Sequence, residues 1–421
     1  MTRPPIALAF LLAICACAML CAPRAYSQTL NVIYNFQNSP DGANPQAGVI
    51  FDAQGNLYGA TQHGGALECD GLHGCGIVFQ LTPNSDGRWT ENPLAQFGSP
   101  GSPIAPVVFD RLGNLYGSAA CTFDCFGSAG GGIYQAAHGS NGAWTINTLV
   151  DFSFANNECE DGNCGVAFDS AGRLYATSYE YQGQFGNTGA VFYIGRRSIT
   201  GWYPINIYTF RGAPDGAGPA NWFSIDANDN IYGTTVHGGP VNGGTVFMLQ
   251  NVGGAQWRET QLYAFQGGSD GGGPSGGVIF DSAGNLYGTT EFGGLGEGTV
   301  FKLTHNSDGT WTESVLYSFH GTDAANPAGP LVFDAAGNLW GVAGGGEFDH
   351  GAIFKLTPSG GGNWTESLVY SFGGALDGGQ PSGGLVLDSA GNLYGTAAYG
   401  GYYPTCSDSP NCGGVVYELT P

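Results

Sequence analysis

Charge is scarce in this chain, and positive charge is scarcest. Only 10% of the 421 residues are charged, and 11 Lys and Arg stand against 33 Asp and Glu, a formal net charge of −22. Lysine occurs only at Lys302 and Lys355. A nucleic-acid-binding protein needs a basic face that contacts phosphates. We therefore expect no nucleic-acid partner.

Long apolar runs are missing after the first residues of the chain. Arg3 precedes an apolar run over 6–22, which is shorter than the ~20 residues of a membrane span. Ala25-Tyr26-Ser27 then fits the small-x-small pattern of a secretory cleavage site. We predict a signal peptide over 1–27 and a mature chain over 28–421 with no membrane span. A retained membrane anchor is the alternative.

Cysteine supports export. Three of the eleven cysteines lie in the predicted signal peptide, and the mature chain keeps eight, an even number. An even count in an exported chain is typical of disulfide bonds. The eight fall into close sequential couples, and we infer local pairing from proximity: Cys69 with Cys75, Cys121 with Cys125, Cys159 with Cys164, and Cys406 with Cys412.

Glycine and aromatic residues are abundant instead, at 75 residues and 13% of the chain. Glycine in a helix interior costs about 1 kcal/mol relative to alanine, so this composition argues against a helical bundle. An internal repeat accounts for both excesses. Its clearest copy begins at 277–290, continues at 298–304 and ends at 311–319. One aspartate marks each of seven copies, spaced 53 to 59 residues apart: Asp52, Asp110, Asp169, Asp226, Asp281, Asp334 and Asp388.

Each copy predicts four short strands, which we name a to d. Strand a precedes the aspartate, strand b carries Leu-Tyr-Gly-Thr-Thr, strand c carries Gly-Thr-Val-Phe-Lys-Leu, and strand d runs from a Trp to a Phe. Alternating apolar residues bounded by Gly, Asn and Asp are typical of strands joined by tight turns. Seven units of four strands predict an all-β fold, a seven-bladed β-propeller.

The ends of the chain predict how the ring closes. The seventh copy stops at Pro421, just after strand c, and lacks a strand d. Residues 29–36 read as a strand d without a blade of its own. We predict that this N-terminal strand completes blade 7, which removes two sheet edges.

The repeat resembles a known family. The string at 286–304 resembles the GloVer tandem repeat of exported bacterial proteins, and the Asp-x-x-Gly-Asn-Leu-Tyr step is similar to NHL-type propeller repeats. The resemblance covers 29–421 and is most specific in blades 4 to 7. Blades 2 and 3 depart from it at 116–119 and 175–178. It implies an exported propeller and no particular reaction. Family members carry C-terminal anchors, and we expect none here.

Residues that recur in every blade are expected to be architectural. The Trp that starts strand d and the Tyr of strand b can stack on sugars, but we expect them to pack between blades. We expect the seven aspartates to form turns. The Asp-Gly-x-x-Pro loops at Asp215, Asp270 and Asp377 lack the dense oxygen ligands of a calcium site, and turn chemistry explains them.

A functional site needs residues that break the symmetry. The a–b and c–d turns lie on one face of a propeller and are short here, whereas the b–c and d–a loops vary and carry all eight cysteines. Variable loops on a rigid scaffold usually carry function. Candidate ligand-binding residues follow strand b, and the two histidines among them are also candidates for a divalent metal: His63, Glu180, His237, Glu291 and Tyr399.

We therefore expect a monomeric, secreted, periplasmic or cell-surface scaffold that binds an extracellular glycan or protein through these loops. We expect no catalysis and no cofactor. The alternative is a metal-assisted lyase or hydrolase at the channel mouth, with His63, His237 and either Glu180 or Glu291.

Overall fold

Seven antiparallel sheets form the blades of a β-propeller, and each sheet is one copy of the repeat, so the predicted fold is confirmed. The computed structural model describes residues 28–65, 74–98, 101–120, 131–152, 164–180, 182–183, 186–197, 201–402 and 413–421. Within these ranges, no helix is both long enough and apolar enough to cross a membrane.

The strands follow the predicted order a-b-c-d within each sheet. Blade 1 holds Val49–Phe51, Leu57–Thr61, Ile77–Pro83 and Trp89–Gln96; blade 2 holds Ser102–Pro103 with Val108–Phe109, Leu115–Ala120, Gly132–His138 and Trp144–Asp151; blade 3 holds Val166–Phe168, Leu174–Ser178, Ala190–Arg197 and Gly201–Thr209; blade 4 holds Gly216–Ile225, Ile231–Gly238, Thr245–Gly253 and Gln256–Ala264. Blade 5 holds Val278–Phe280, Leu286–Thr290, Thr299–His305 and Trp311–Ser318; blade 6 holds Ala325–Phe333, Leu339–Gly344, Ala352–Gly360 and Asn363–Ser371; blade 7 holds Gly379–Pro381 with Val386–Leu387, Leu393–Tyr399, Val415–Thr420 and Thr29–Asn35. The shorter elements are strands Gly42–Ala43, His63–Gly64, Gln182–Gly183 and Gly186–Asn187 and a 3-10 helix at Gly268–Asp270.

The N-terminal strand closes the ring as predicted. Thr29–Asn35 pairs antiparallel with Val415–Thr420, in a register that places Thr29 opposite Thr420. The last blade therefore contains both ends of the described chain, and its outer edge is strand d, as in the other blades.

The repeated aspartate organises the a–b turn. In blade 5 its carboxylate accepts hydrogen bonds from the amides of Ala283 and Asn285, both at 2.9 Å, and from the Asn285 side chain at 2.7 Å. It also accepts the Tyr287 hydroxyl at 3.1 Å, so the turn orients the repeated tyrosine of strand b. Burial opposes ionisation, but these donors hold the pKa of Asp281 below its usual value.

Aromatic pairs join every blade to the next. The Phe that follows strand d contacts an aromatic ring in strand c of the following blade, with centroids 4.8 to 5.6 Å apart. Such contacts add about 0.5–1.5 kcal/mol each beyond the area they bury. The seven pairs are Phe36–Phe79, Phe97–Tyr134, Phe152–Phe192, Phe210–Phe247, Phe265–Phe301, Phe319–Phe354 and Phe372–Tyr417.

The same rings explain the glycine of the Leu-Tyr-Gly step. A Cβ atom at Gly288 would lie 2.6 Å from Cζ of Phe301, which is too close for any side chain. The predicted interblade packing of the repeated Trp is present as well: Trp257 contacts Tyr175 of blade 3 at 5.7 Å, and Trp364 contacts Tyr287 of blade 5 at 6.3 Å.

The Asp-x-x-x-Pro segments occur in blades 1, 4, 5, 6 and 7, and each fastens its blade to the b–c loop of the blade before it. At Asn326 the backbone is left-handed, with φ 49°, and its amide donates to the Glu297 carbonyl at 2.8 Å. Gln380, with φ 58°, donates to the His350 carbonyl at 2.7 Å. In blades 4 and 6 this segment belongs to strand a rather than to the predicted loop. We call the hydrogen bond from the amide of this left-handed residue to the carbonyl of the preceding b–c loop the interblade latch. It recurs at Asn44, Gly218 and Gly273.

The aspartate of the same segment accepts a tyrosine hydroxyl from strand d. Tyr263 donates to Asp270 at 2.7 Å. A glutamate of the next strand d lies nearby, and burial together with the Asp270 charge raises the pKa of Glu313 to about 7. Burial and Asp41 likewise raise the pKa of Glu91 to about 8.

Loss of the closing aromatic pair tests the ring closure. Phe36 is 1% exposed, so Phe36→Ala should lower the free energy of unfolding by about 3–5 kcal/mol, as Phe319→Ala should in blade 5. The control Leu112→Ala, at a side chain 86% exposed, should change it by less than about 0.5 kcal/mol. Chemical denaturation measures all three. A cost below about 1 kcal/mol for Phe36→Ala would mean that the N-terminal strand does not complete blade 7.

The buried glutamates make stability depend on pH. Because the pKa of Glu313 rises from 4.5 to about 7 on folding, its contribution is complete below 4.5 and is lost as pH rises through about 7. Glu313→Gln cannot ionise, so its Tm should fall by about 2 °C less than that of the wild type between about pH 5 and pH 8. Glu347→Gln, at an exposed carboxylate, controls for the lost charge. Parallel pH profiles for wild type and Glu313→Gln would contradict this prediction.

Candidate functional site

The b–c and d–a loops share one face of the propeller, because the four strands of every blade are antiparallel. We call it the loop face. In blades 4 to 7 it comprises residues 210–215, 236–244, 265–277, 291–298, 319–324, 344–351, 372–378 and 399–402. The opposite face carries the short a–b and c–d turns.

Two predicted residues of the loop face come together. His237 is the penultimate residue of strand b in blade 4, and Glu291 follows strand b of blade 5. Burial raises the pKa of Glu291, and the charge of His237 lowers it. Tyr179 of blade 3, a residue that sequence reasoning missed, joins them: its ring lies 6.3 Å from the His237 ring. Burial and the carboxylates of Glu180 and Glu291 raise the pKa of Tyr179.

The carboxylate of Glu180, the residue after Tyr179, makes its hydrogen bond outside this group of side chains. It accepts a hydrogen bond from the side chain of Asn187, across the b–c segment of blade 3. Tyr179 itself packs against strand a of blade 4, because a Cβ atom at Gly218 would lie 2.8 Å from its ring. The cluster of Tyr179, His237 and Glu291 thus spans three consecutive blades and combines a phenol, an imidazole and a carboxylate.

The predicted Tyr399 forms a second cluster at the junction of blades 6 and 7. Its hydroxyl lies 2.9 Å from Nδ1 of His350, another residue that sequence reasoning missed. Burial and the charge of Asp349 raise the pKa of Tyr399. A Cβ atom at Gly379 would lie 2.5 Å from the Tyr399 ring, so a glycine is required for the ring to lie flat on strand a.

His63 lies in blade 1, in the short strand His63–Gly64, which pairs with Gly42–Ala43. Blade 2 separates it from Tyr179 of blade 3 in sequence order, and ring closure makes blade 7, which holds Tyr399, the other neighbour of blade 1. The side chain of His63 is half-buried. The structure therefore gathers His237 and Glu291 in one cluster and places Tyr399 in another.

Exposed apolar side chains also mark the loop face. Among the described residues, eight large apolar side chains are exposed, and six of them lie on the loop face of blades 4 to 7. Leu112 and Val252 lie instead at turns of the opposite face. The six are Val241 at 55%, Phe292 at 52%, Leu295 at 70%, Phe348 at 55%, Leu376 at 65% and Tyr402 at 67%. Apolar residues inside glycine-rich loops, where no strand needs them, were the signal in the sequence.

Metal and disulfide predictions stay open. Within the ranges that the structure describes, no three His, Cys, Asp or Glu residues group closely enough to hold a metal ion. Cys75 and Cys164 are buried at 2% and 0% exposure. The cysteines proposed to pair with them and both members of the other two couples lie outside the described residues: Cys69, Cys121, Cys125, Cys159, Cys406 and Cys412.

A cavity of about 540 Å³ lies away from the loop face, between blades 1 and 2. Its walls include Tyr58, Trp144 and His138, near the c–d turn of blade 2. Tyr58 and Trp144 occupy positions that recur around the ring, and the Tyr58 hydroxyl already donates to Asp52 at 3.0 Å. The cavity is therefore formed mainly by residues that recur in the repeat and not by residues that break its symmetry.

Sequence comparison supports the resemblance seen in the repeat. Residues 199–407 match the model of the Gloeobacter/Verrucomicrobia repeat. The match covers 209 of the 421 residues, just under half of the chain. It runs from strand d of blade 3 to strand b of blade 7 and so includes both Glu291 and the six exposed apolar residues. A comparison with curated protein sequences gives no match.

Solved structures of low sequence identity are similar to this chain. A fungal alcohol oxidase of the AA5 family, solved in complex with copper, aligns with 93% of this chain and 76% of its own, at 13% identity and a TM-score of 0.53. A glucose dehydrogenase aligns with 79% of this chain and 100% of its own, at 13% identity and a TM-score of 0.47. A protein from Dyadobacter fermentans aligns with 93% and 99%, at 10% identity and a TM-score of 0.47. At such identities the likeness concerns the fold alone.

The charge coupling within the cluster can be measured. Because the electrostatic interaction with His237 lowers the pKa of Glu291, His237→Asn should raise that pKa further. A carbon-13 NMR titration of the side-chain carboxyl reports the value. His350→Asn, in blade 6, is the matched control and should leave it unchanged. An unaltered Glu291 pKa in His237→Asn would show that the two side chains are not in contact in solution.

Proposed function

We propose that the protein is an exported scaffold that binds an extracellular ligand, a glycan or a protein, through the loop face of blades 4 to 7. The observation that carries this proposal is the segregation of exposed apolar residues: six of the eight among the described residues lie on that face. Contiguous or clustered exposed apolar residues on a soluble domain mark interaction sites, because leaving them in water is unfavourable.

The composition of the loop face supports binding in a second way. Three of the six exposed side chains are aromatic, namely Phe292, Phe348 and Tyr402, and aromatic side chains dominate the energetics of many interfaces. The cluster of Tyr179, His237 and Glu291 adds a phenol, an imidazole and a carboxylate to the same face. The interblade latches hold the loops that carry them, so little conformational freedom is lost when a ligand binds.

Export and disulfide bonds belong to the same proposal. The predicted signal peptide over 1–27 and the paired cysteines of the b–c and d–a loops suit a loop face exposed outside the cytoplasm. A metal-assisted lyase or hydrolase remains the alternative prediction, for which His237 and Glu291 would supply the acid–base pair.

Paired variants on the two faces test the proposal. The purified mature protein is screened on glycan and envelope-protein arrays, and each hit is measured again with Phe292→Ser/Phe348→Ser. We expect affinity to fall by at least about tenfold, because two exposed rings at the proposed contact are lost. The matched control, Leu112→Ser/Val252→Ser on the opposite face, should change affinity by less than about twofold. A protein that binds nothing, or equal losses in both variants, would contradict the proposal.

A further inference from the structure

Exposed apolar tips bracketed by carboxylates recur in two neighbouring blades. In blade 5, Phe292 and Leu295 stand between Glu291 and Glu297. In blade 6, Phe348 stands directly between Glu347 and Asp349, and all three side chains are exposed. Each tip therefore has a carboxylate on both sides of it along the chain.

The whole loop face of blades 4 to 7 carries this charge bias. Its described residues contain eight Asp and Glu, a single arginine, Arg211, no Lys, and three histidines, His237, His320 and His350. Four of the eight are aspartates of the Asp-x-x-x-Pro segments, which accept tyrosine hydroxyls inside the fold. The other four are the carboxylates that flank the apolar tips: Glu291, Glu297, Glu347 and Asp349.

The fold holds these loops in fixed relative positions. The carbonyl of Glu297 accepts the latch bond from Asn326, and the carbonyl of His350 accepts the one from Gln380. A different bond holds the next loop along: the Gly401 amide donates at 2.7 Å to the carbonyl of Ala375, in the d–a loop that leads into the same blade. The tips of blades 5 and 6 thus belong to one connected series of loops that continues into blade 7.

We propose that this surface binds a basic amphipathic segment of a partner polypeptide, in which Lys or Arg side chains alternate with apolar ones. This inference rests on the proposed function and names the class of partner. The apolar side chains of the segment cover the tips, while its cations meet the flanking carboxylates. Charge complementarity of this kind selects partners and speeds their association.

The same observations disfavour a glycan as the occupant. Stacking on sugars does not account for the whole surface, because three of its six exposed apolar side chains, Leu295, Leu376 and Val241, have no ring. An acidic glycan would be repelled by the carboxylates, and a neutral glycan can donate hydroxyl hydrogen bonds to them but cannot pair with their charge. A cationic, apolar peptide uses both features of the surface.

A synthetic peptide of alternating lysine and leucine is the direct probe, with a peptide in which glutamate replaces lysine as its counterpart. We expect the mature protein to bind the lysine peptide, about tenfold more weakly in high salt than in low salt, and not to bind the glutamate peptide. Fluorescence anisotropy of labelled peptides measures both. No binding of the lysine peptide, or equal binding of the two peptides, overturns the inference.

Charge-matched variants separate this surface from the overall acidity of the protein. Glu347→Gln/Asp349→Asn should weaken the lysine peptide by about fivefold. Asp86→Asn/Asp308→Asn removes the same charge from exposed turns of the opposite face and should change affinity by less than about twofold. Equal losses would show non-specific attraction and overturn the inference. If instead an array glycan binds and is lost in Phe292→Ser/Phe348→Ser while the lysine peptide does not bind, the proposed function stands and this inference fails.

Discussion

The interblade aromatic pair is the contact on which the rest of the molecule depends. A ring at the end of strand d packs against the strand c ring of the following blade, and that strand c ring covers the glycine of strand b in its own blade. Each blade therefore takes one ring of its core from the blade before it. The first blade obtains this ring from Phe36, which only the N-terminal strand can supply. Each blade is therefore stable only as a member of a closed ring, and the pairing of Thr29–Asn35 with Val415–Thr420 is what closes it.

The repeat also determines how variable the loops can be. Each latch uses only backbone atoms, an amide in a left-handed residue and a carbonyl of the preceding b–c loop. Glu297 and His350 both serve as acceptors, although their side chains have nothing in common. The side chains of the loop face are therefore not needed to form the latch. The same loop backbone can carry an apolar tip, a carboxylate or an imidazole without loss of the bond that holds it.

The periodic part of this architecture could be predicted from the sequence because every repeated residue has a repeated partner. The spacing of seven aspartates implied seven blades, and the missing last strand d implied closure by residues 29–36. Contacts between two loop-face residues of different blades could not be predicted in the same way. His237 and Glu291 were identified because they break the symmetry, but Tyr179 was not, since its approach to His237 depends on how blade 3 meets blade 4. His350 was missed for the same reason, because its partner Tyr399 lies in the next blade.

The position of the closing strand places both ends of the described chain on the face opposite the loop face. Thr29 lies opposite Thr420, and strand c ends and strand d begins on the face of the short turns. Both ends of the propeller therefore leave the ring from one spot, on the side away from Phe292 and Phe348. A tether attached at either end would hold the molecule by the face that carries the short turns. Its acidic, apolar surface would then be turned outward, toward whatever approaches from solution.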